Sequence, residues 1–367
     1  MTTGRRVQVS APGRICLFGE HQDFLGLPVI ACAVDLTIEI SGTPRPDGVF
    51  RVDMPDVGRT EELDGAGLLQ YAHKRDYLRA AVNVLRRHGL VIERGYDCVV
   101  HGTIPINAGT ASSSALVVAW VTFLLATQRG LNRWHGDLPV PREAIARYAY
   151  EAEVLEFGEP GGMMDHYTSA LGGLVHISFA DTAVVEPLAA RLEGLVLGDT
   201  LVPKETTETL RESRQAATAG VEQLAREIVG FDPHATALGR VDPWLRQMPD
   251  GIGRRVRAQL VNRDLCREAY GLLSRPECEQ VTLGQLLLAH QEQLREGLGV
   301  SHPRLDELIR AGMAAGAVGG KLNGSGCGGA MFVWAPGRQR EAASAIEAAG
   351  GRAYPCAVRG GVTVEIE

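Results

Sequence analysis

The 367-residue chain is long enough for one large or two ordinary domains with real cores, and 45% hydrophobic with 22% charged residues is the balance of a water-soluble globular protein. A net charge of -7 argues against general binding to nucleic acid or to an anionic membrane, and 5% aromatic residues leave little material for base-stacking platforms. The seven cysteines are scattered without a Cys-x-x-Cys pair, which argues against a zinc site and points to reduced thiols in the cytoplasm.

In chain order, residues 1–6 lead into a strand-like run without a signal-peptide apolar core, and 7–9 read as a short strand before Pro12. Residues 27–34 and 36–40 are two strands, and 51–54 a third, followed by a polar loop to Gly67. Residues 76–88 have helical spacing, with Tyr77, Ala81, Val84 and Leu85 on one face. Residues 96–102 form a strand that leads to Gly109, and 112–127 a buried helix with serine at its start, its apolar run too short to span a bilayer. Helices follow over 141–157 and 165–171, then strands over 173–179 and 195–198. Further helices cover 203–227, 254–273, 282–297 and 305–315, a strand 330–334, a helix 338–349 and a closing strand 361–367. Strands cluster by region instead of alternating strictly with helices, so the class is α+β, with a boundary around 183–194 that divides the chain into 1–190 and 191–367.

Three Gly-rich segments carry the chemistry. Gly109 lets backbone approach a ligand, and Ser112, Ser113 and Ser114 then open a helix whose free amides and positive dipole end can hold a phosphate. A serine hydroxyl there can ligate Mg²⁺; the Walker pattern is absent. Earlier in the chain, Glu20, His21 and Asp23 follow the strand-like residues 15–18, with Gly19 and Gly26 beside them, a donor and acceptor set suited to a polyol. Near the end, Lys321-Leu322-Asn323-Gly324-Ser325-Gly326-Cys327-Gly328-Gly329 reads as a loop between helix and strand that folds close to a pocket. Asp165, in Met164-Asp165, is a carboxylate able to accept or orient a hydroxyl proton, and Arg14 is a fixed positive charge.

In chain order the segments resemble those of the GHMP small-molecule kinases, and the N-terminal one, with Glu20, His21 and Asp23, is most similar to that of galactokinases. The resemblance implies a GHMP kinase fold: an N-terminal domain like ribosomal protein S5 domain 2 and a ferredoxin-like C-terminal domain with the site in their cleft. It implies ATP and Mg²⁺ as cofactors, with Asp165 and Arg14 catalytic. Glu20, His21, Asp23 and Gly162 would hold the acceptor. Gly109, Ala111, Ser112, Ser113, Ser114, Gly324 and Gly326 would hold ATP. Ser113 and Glu153 would be the metal ligands, with Ser114 as the alternative to Ser113. Departures from the galactokinase pattern are Cys16 for Asn, Phe24 for Tyr, Asn107 and Ala111 for Gly, Thr110 for Leu, Gly161-Gly162 for Cys-Gly and His166 for Gln. The resemblance also takes in 300–308, and is weak from about 201 to 279.

The expected reaction is transfer from ATP to a sugar, at its anomeric C1 hydroxyl, in a cytoplasmic enzyme whose partner is a small sugar or sugar phosphate. Nucleic acid and membrane are not expected partners, and the oligomeric state is not readable. Rivals are a kinase for a phosphorylated heptose or octose, for which Arg211, Arg214 and Lys204 are candidate cations; a non-catalytic sugar sensor; a mevalonate kinase, disfavoured by Asp23; and a GHMP-fold decarboxylase, disfavoured by the Glu20, His21 and Asp23 cluster.

Overall fold

The computed structural model describes residues 5–105, 109–159, 161–179, 183–203 and 207–367. β1 (Val7–Phe18) continues through Pro12, so the two short runs expected there are one strand. Pro12 has no amide to donate, and the pairing register slips just after it, where a bulge tolerates the missing bond. β2 (Val29–Arg45) likewise fuses the two predicted strands. After β3 (Val49–Met54), the expected polar loop contains a further strand, β4 (Arg59–Asp64), whose largely exposed residues alternate too weakly to be read. α1 (Tyr77–Arg87) is capped by the Asp76 carboxylate, which accepts from the Arg79 amide. β5 (Gly95–Gly102) leads toward α2 (Ser112–Thr127), which is buried nearly all round, as its uniformly apolar sequence requires.

α3 (Arg142–Tyr150) runs into a π-helical turn over Glu151–Leu155, so the helix expected to reach 157 changes register before its end. α4 (Met164–Leu171) and β6 (Leu174–Phe179) follow, and β7 (Ala183–Pro187) forms a hairpin with β6. The second half comprises β8 (Leu195–Asp199), α5 (Thr207–Glu227), α6 (Leu238–Leu245), α7 (Asp250–Leu273), α8 (Gln280–Glu292) with a π turn over Gln293–Leu298, and α9 (Pro303–Ala314). β9 (Gly319–Asn323), β10 (Ala330–Trp334), α10 (Gln339–Ala348), β11 (Arg352–Cys356) and β12 (Thr363–Ile366) complete it. Lys321, Leu322 and Asn323, expected in a loop, thus belong to a strand.

The first sheet has the order β12-β1-β2-β5-β3-β4, with β6 joined to β2 and β7 to β6. Its core is built on α2, where Trp120 and Phe123 stack at 5.6 Å and meet Phe50 and Tyr96 edge-on. The second sheet, β11-β8-β10-β9, is antiparallel throughout and has its own core with α9 and α10. β12 pairs with β1, so the last strand of the expected 191–367 unit lies in the first sheet. A shared apolar cluster, including Ile15, Phe18 and Ile30 from one half and Leu197, Leu287 and Phe332 from the other, joins the two halves beneath the motif-bearing end of β1.

Candidate active site

The three Gly-rich segments meet at the end of β1. Asn323, the last residue of β9, knots them together: its Oδ1 accepts from the Cys16 amide at 2.9 Å, and its Nδ2 donates to the carbonyls of Arg14 at 3.3 Å and Gly109 at 3.2 Å. A Cβ on Gly324 would lie 2.3 Å from the Gly109 oxygen, and Gly324 has φ +77°, so only glycine lets the third loop close on the second.

Arg14 holds Asp165 in a two-pronged contact, Nε to Oδ1 at 2.7 Å and Nη2 to Oδ2 at 3.0 Å, while Nη1 donates to the Gly109 carbonyl at 2.6 Å. Burial by itself would lower the Arg14 pKa; the adjoining Asp165 charge overrides it and holds the guanidinium above its ordinary value. Asp165 lies in the first turn of α4, where the helix dipole favours a carboxylate, and its side chain keeps 27% exposure toward the cavity.

Glu153 lies on the π-helical turn that continues α3, a local geometry often found at functional positions. Its Oε2 is 2.7 Å from His166 Nε2. Burial pushes its carboxyl pKa up, but hydrogen bonds from His166, Ser113 and Ser114 outweigh this and bring it below its ordinary value. Ser113 is exposed and Ser114 buried, and both line the cavity. This grouping of hydroxyl and carboxylate oxygens fits a hard divalent cation such as Mg²⁺. Elsewhere Glu61, His73 and Asp76 also converge, but Arg79 neutralises both carboxylates.

The predicted acceptor residues occupy the turn after β1. Glu20 is not a free clamp: its Oε2 is ion-paired with the fully buried Lys321, whose Nζ also donates to the carbonyls of Cys16 at 3.0 Å and Leu322 at 2.9 Å. The other oxygen, Oε1, is buried without a protein partner. His21 has φ +62°, and burial, followed by the Lys321 charge, lowers its pKa to about 4, so the ring is neutral near pH 7. Its Nε2 is also without a partner. Burial, then the Asp165 charge, raises Asp23 to about 6. Gly162 faces that carboxylate so closely that a Cβ would lie 1.6 Å from Oδ2.

A cavity of about 370 Å³ is lined by Arg14, Glu20, His21, Asp23, Glu153 and Asp165, joined by Ser113, Ser114, Gly162, Gly324 and other residues. Gly109, Ala111 and Gly326 do not line it and belong to the loops that adjoin it, and Ser112, the first residue of α2, does not line it either. Ala111, at φ +60°, holds a backbone conformation that favours glycine. Cys16 is buried against the Phe18 carbonyl and does not line the cavity. Cys327 packs half-buried against the second core, with its thiol pKa raised by burial. Asn107, Pro160 and Lys204 lie outside the described residues, while Arg211 is exposed on α5 and Arg214 stacks over Phe24 at 4.8 Å.

Sequence reading assigned no role to Lys321, Asn323 or Tyr150, and noted His166 only as a departure. Lys321 carried a signal: it is one of three lysines in the chain and lies in the strand Gly-Gly-Lys-Leu-Asn, where a buried ammonium requires a carboxylate.

Residues 76–173 match the GHMP kinases N terminal domain, 275–354 the GHMP kinases C terminal domain, and 2–44 the galactokinase galactose-binding signature. Mevalonate kinase of Pyrococcus horikoshii is 30% identical over 356 residues, covering 94% of this chain and 93% of that protein. Galactokinase of Pasteurella multocida is 28% identical over 355 residues, covering 93% and 88%. Among solved structures, Lactococcus lactis galactokinase complexed with galactose superposes with a TM-score of 0.82 at 19% identity, covering 98% of this chain and 95% of that one. Motif order, two-sheet fold and full-length similarity agree, and the chain belongs to the GHMP kinase family.

Proposed function

We propose that the protein transfers the γ-phosphoryl group of ATP to a sugar hydroxyl, at the anomeric carbon, giving a sugar 1-phosphate and ADP. The observation that carries the sugar is the acceptor end of the cavity. Glu20, the neutral His21 ring and Asp23 line that end and together supply acceptors and a switchable donor for hydroxyl groups. Asp165 faces the same space and takes the role of orienting the attacking hydroxyl and receiving its proton.

In this reading the acceptor oxygen forms a bond to the γ-phosphorus as the bond from that phosphorus to the bridging β–γ oxygen breaks, and the electron pair leaves with ADP. Arg14 fixes the Asp165 carboxylate and adds positive charge where the phosphoryl oxygens pass. The amides at the start of α2 hold phosphate oxygens. Ser113, or Ser114, with Glu153 would hold Mg²⁺, which supplies charge neutralisation of the phosphates when bound. His166 fixes the orientation of Glu153.

A second reading is mevalonate phosphorylation, favoured by the full-length similarity to archaeal mevalonate kinases. The test is ADP release with Mg²⁺-ATP over free sugars, sugar phosphates and mevalonate, with Asp165→Asn as control and phosphorus NMR of the product. A sugar 1-phosphate formed by the wild type and lost in the variant supports the reading; turnover of mevalonate alone overturns it. No described helix is long and apolar enough to cross a membrane.

A further inference from the structure

The acceptor cavity is rich in carboxylates, and its two lining arginines are engaged. Arg14 grips Asp165, and Arg75 pairs with Glu159 through two bonds of 2.7 and 2.6 Å. Arg214 is different. It reaches from α5 so that its guanidinium carbon lies 4.8 Å over the ring of Phe24, a residue that lines the cavity directly after Asp23. Its Nη1 is buried and has no hydrogen-bond partner among the described residues. The Tyr150 phenol is within electrostatic reach of both Asp23 and Arg214, and its ring meets His166 edge-on at 5.6 Å. Asp23 and Phe24 line the cavity, and Arg214 and Tyr150, which do not line it themselves, adjoin these two residues.

A buried guanidinium donor without an acceptor costs free energy until something supplies the acceptor, and stacking on an aromatic face fixes the planar group while leaving its edge able to bond. We infer that the phosphoryl acceptor bears an anionic group, a carboxylate or a phosphate, which Arg214 binds as a specificity-determining residue. This rests on the kinase reading above but not on the acceptor being a sugar, since mevalonate also carries a carboxylate.

The experiment compares wild type, Arg214→Ala and Arg214→Lys on four acceptor classes: neutral hexoses, their uronic acids, hexose and heptose phosphates, and mevalonate. Initial rates at saturating Mg²⁺-ATP give KM and kcat, and calorimetry gives binding of each acceptor without turnover. A lost charge-assisted bond should raise KM for the anionic acceptor about 10- to 100-fold in Arg214→Ala. The KM for ATP should stay unchanged, and Arg214→Lys should recover part of the loss. Preference for the uronic acids identifies a carboxylate, and preference for the sugar phosphates a phosphate. Arg214-dependent use of mevalonate with no use of sugars upholds this inference while overturning the sugar reading. A neutral hexose used best and unaffected by Arg214→Ala leaves the sugar kinase standing and overturns the anion. Equal losses on neutral and anionic acceptors in both variants assign Arg214 to packing and likewise overturn it. So does the absence of any anionic panel member that binds or reacts in an Arg214-dependent way.

Discussion

Replacing Lys321 with methionine removes the cation that holds Glu20 while keeping most of the side-chain volume. Lys321 is 0% and Glu20 1% exposed, so the carboxylate left behind is nearly stripped of water. Breaking one side of a buried pair costs about 3–5 kcal/mol, and here the carbonyls of Cys16 and Leu322 also lose their donor. With an unfolding entropy of about 2.1 cal/mol/K per residue, a chain of 367 residues should lose roughly 4–6 °C in melting temperature. Thermal unfolding followed by circular dichroism, without nucleotide or acceptor, measures this. The double variant Glu20→Gln with Lys321→Met leaves no orphan charge and should recover at least half of the loss, yet stay impaired in acceptor binding. A drop of less than about 1 kcal/mol in Lys321→Met, or a double variant no more stable than the single one, would refute the claim that this pair is desolvated and mutually dependent.

Gly162→Ala should drive the new methyl group into the Asp23 carboxylate, 1.6 Å away, and lower kcat/KM for the acceptor by about tenfold or more with little change in nucleotide affinity; steady-state kinetics separate the two. Gly324→Ala should do the reverse, raising the KM for ATP, because its Cβ would sit 2.3 Å from the Gly109 oxygen and force the second and third loops apart. Asp23 titrates near 6 in the folded protein against an ordinary 3.8, so folding favours its protonated form, and ionising it weakens the fold as pH rises between about 4 and 6. Asp23→Asn should therefore be more stable than wild type at pH 7–8, on the order of 2 kcal/mol, and no more stable below pH 4; melting curves across that range check the sign.

The elements that could be read ahead of the structure were those governed by local rules. α2 begins and ends where its serines and apolar run placed it, and α1 starts at the Asp76 cap. The motif order also fixed which residues meet: Arg14 and Asp165, far apart in the chain, are in contact. What escaped was decided by distant partners. Lys321 and Glu20 find each other across most of the sequence, and nothing near either residue names the other. β4 was hidden in a polar stretch because it is an edge strand with little to bury, and α6 contains Pro243, which reads locally as a break. β1 was cut short at Pro12 for the same reason, since a bulge depends on the partner strand.

The pairing of β1 with β12 has a consequence for how the molecule comes into being. Val7 lies opposite Ile366, so the outer edge of residues 7–10 in β1 has no partner strand until synthesis has passed that point. During translation β1 can zip to β2 but must leave a row of amides and carbonyls open, a surface on which a second nascent chain could dock. Closing it joins segments separated by more than 300 residues, so it belongs among the late events of folding. The first sheet is therefore complete only when residues 7–10 and 363–366 have met.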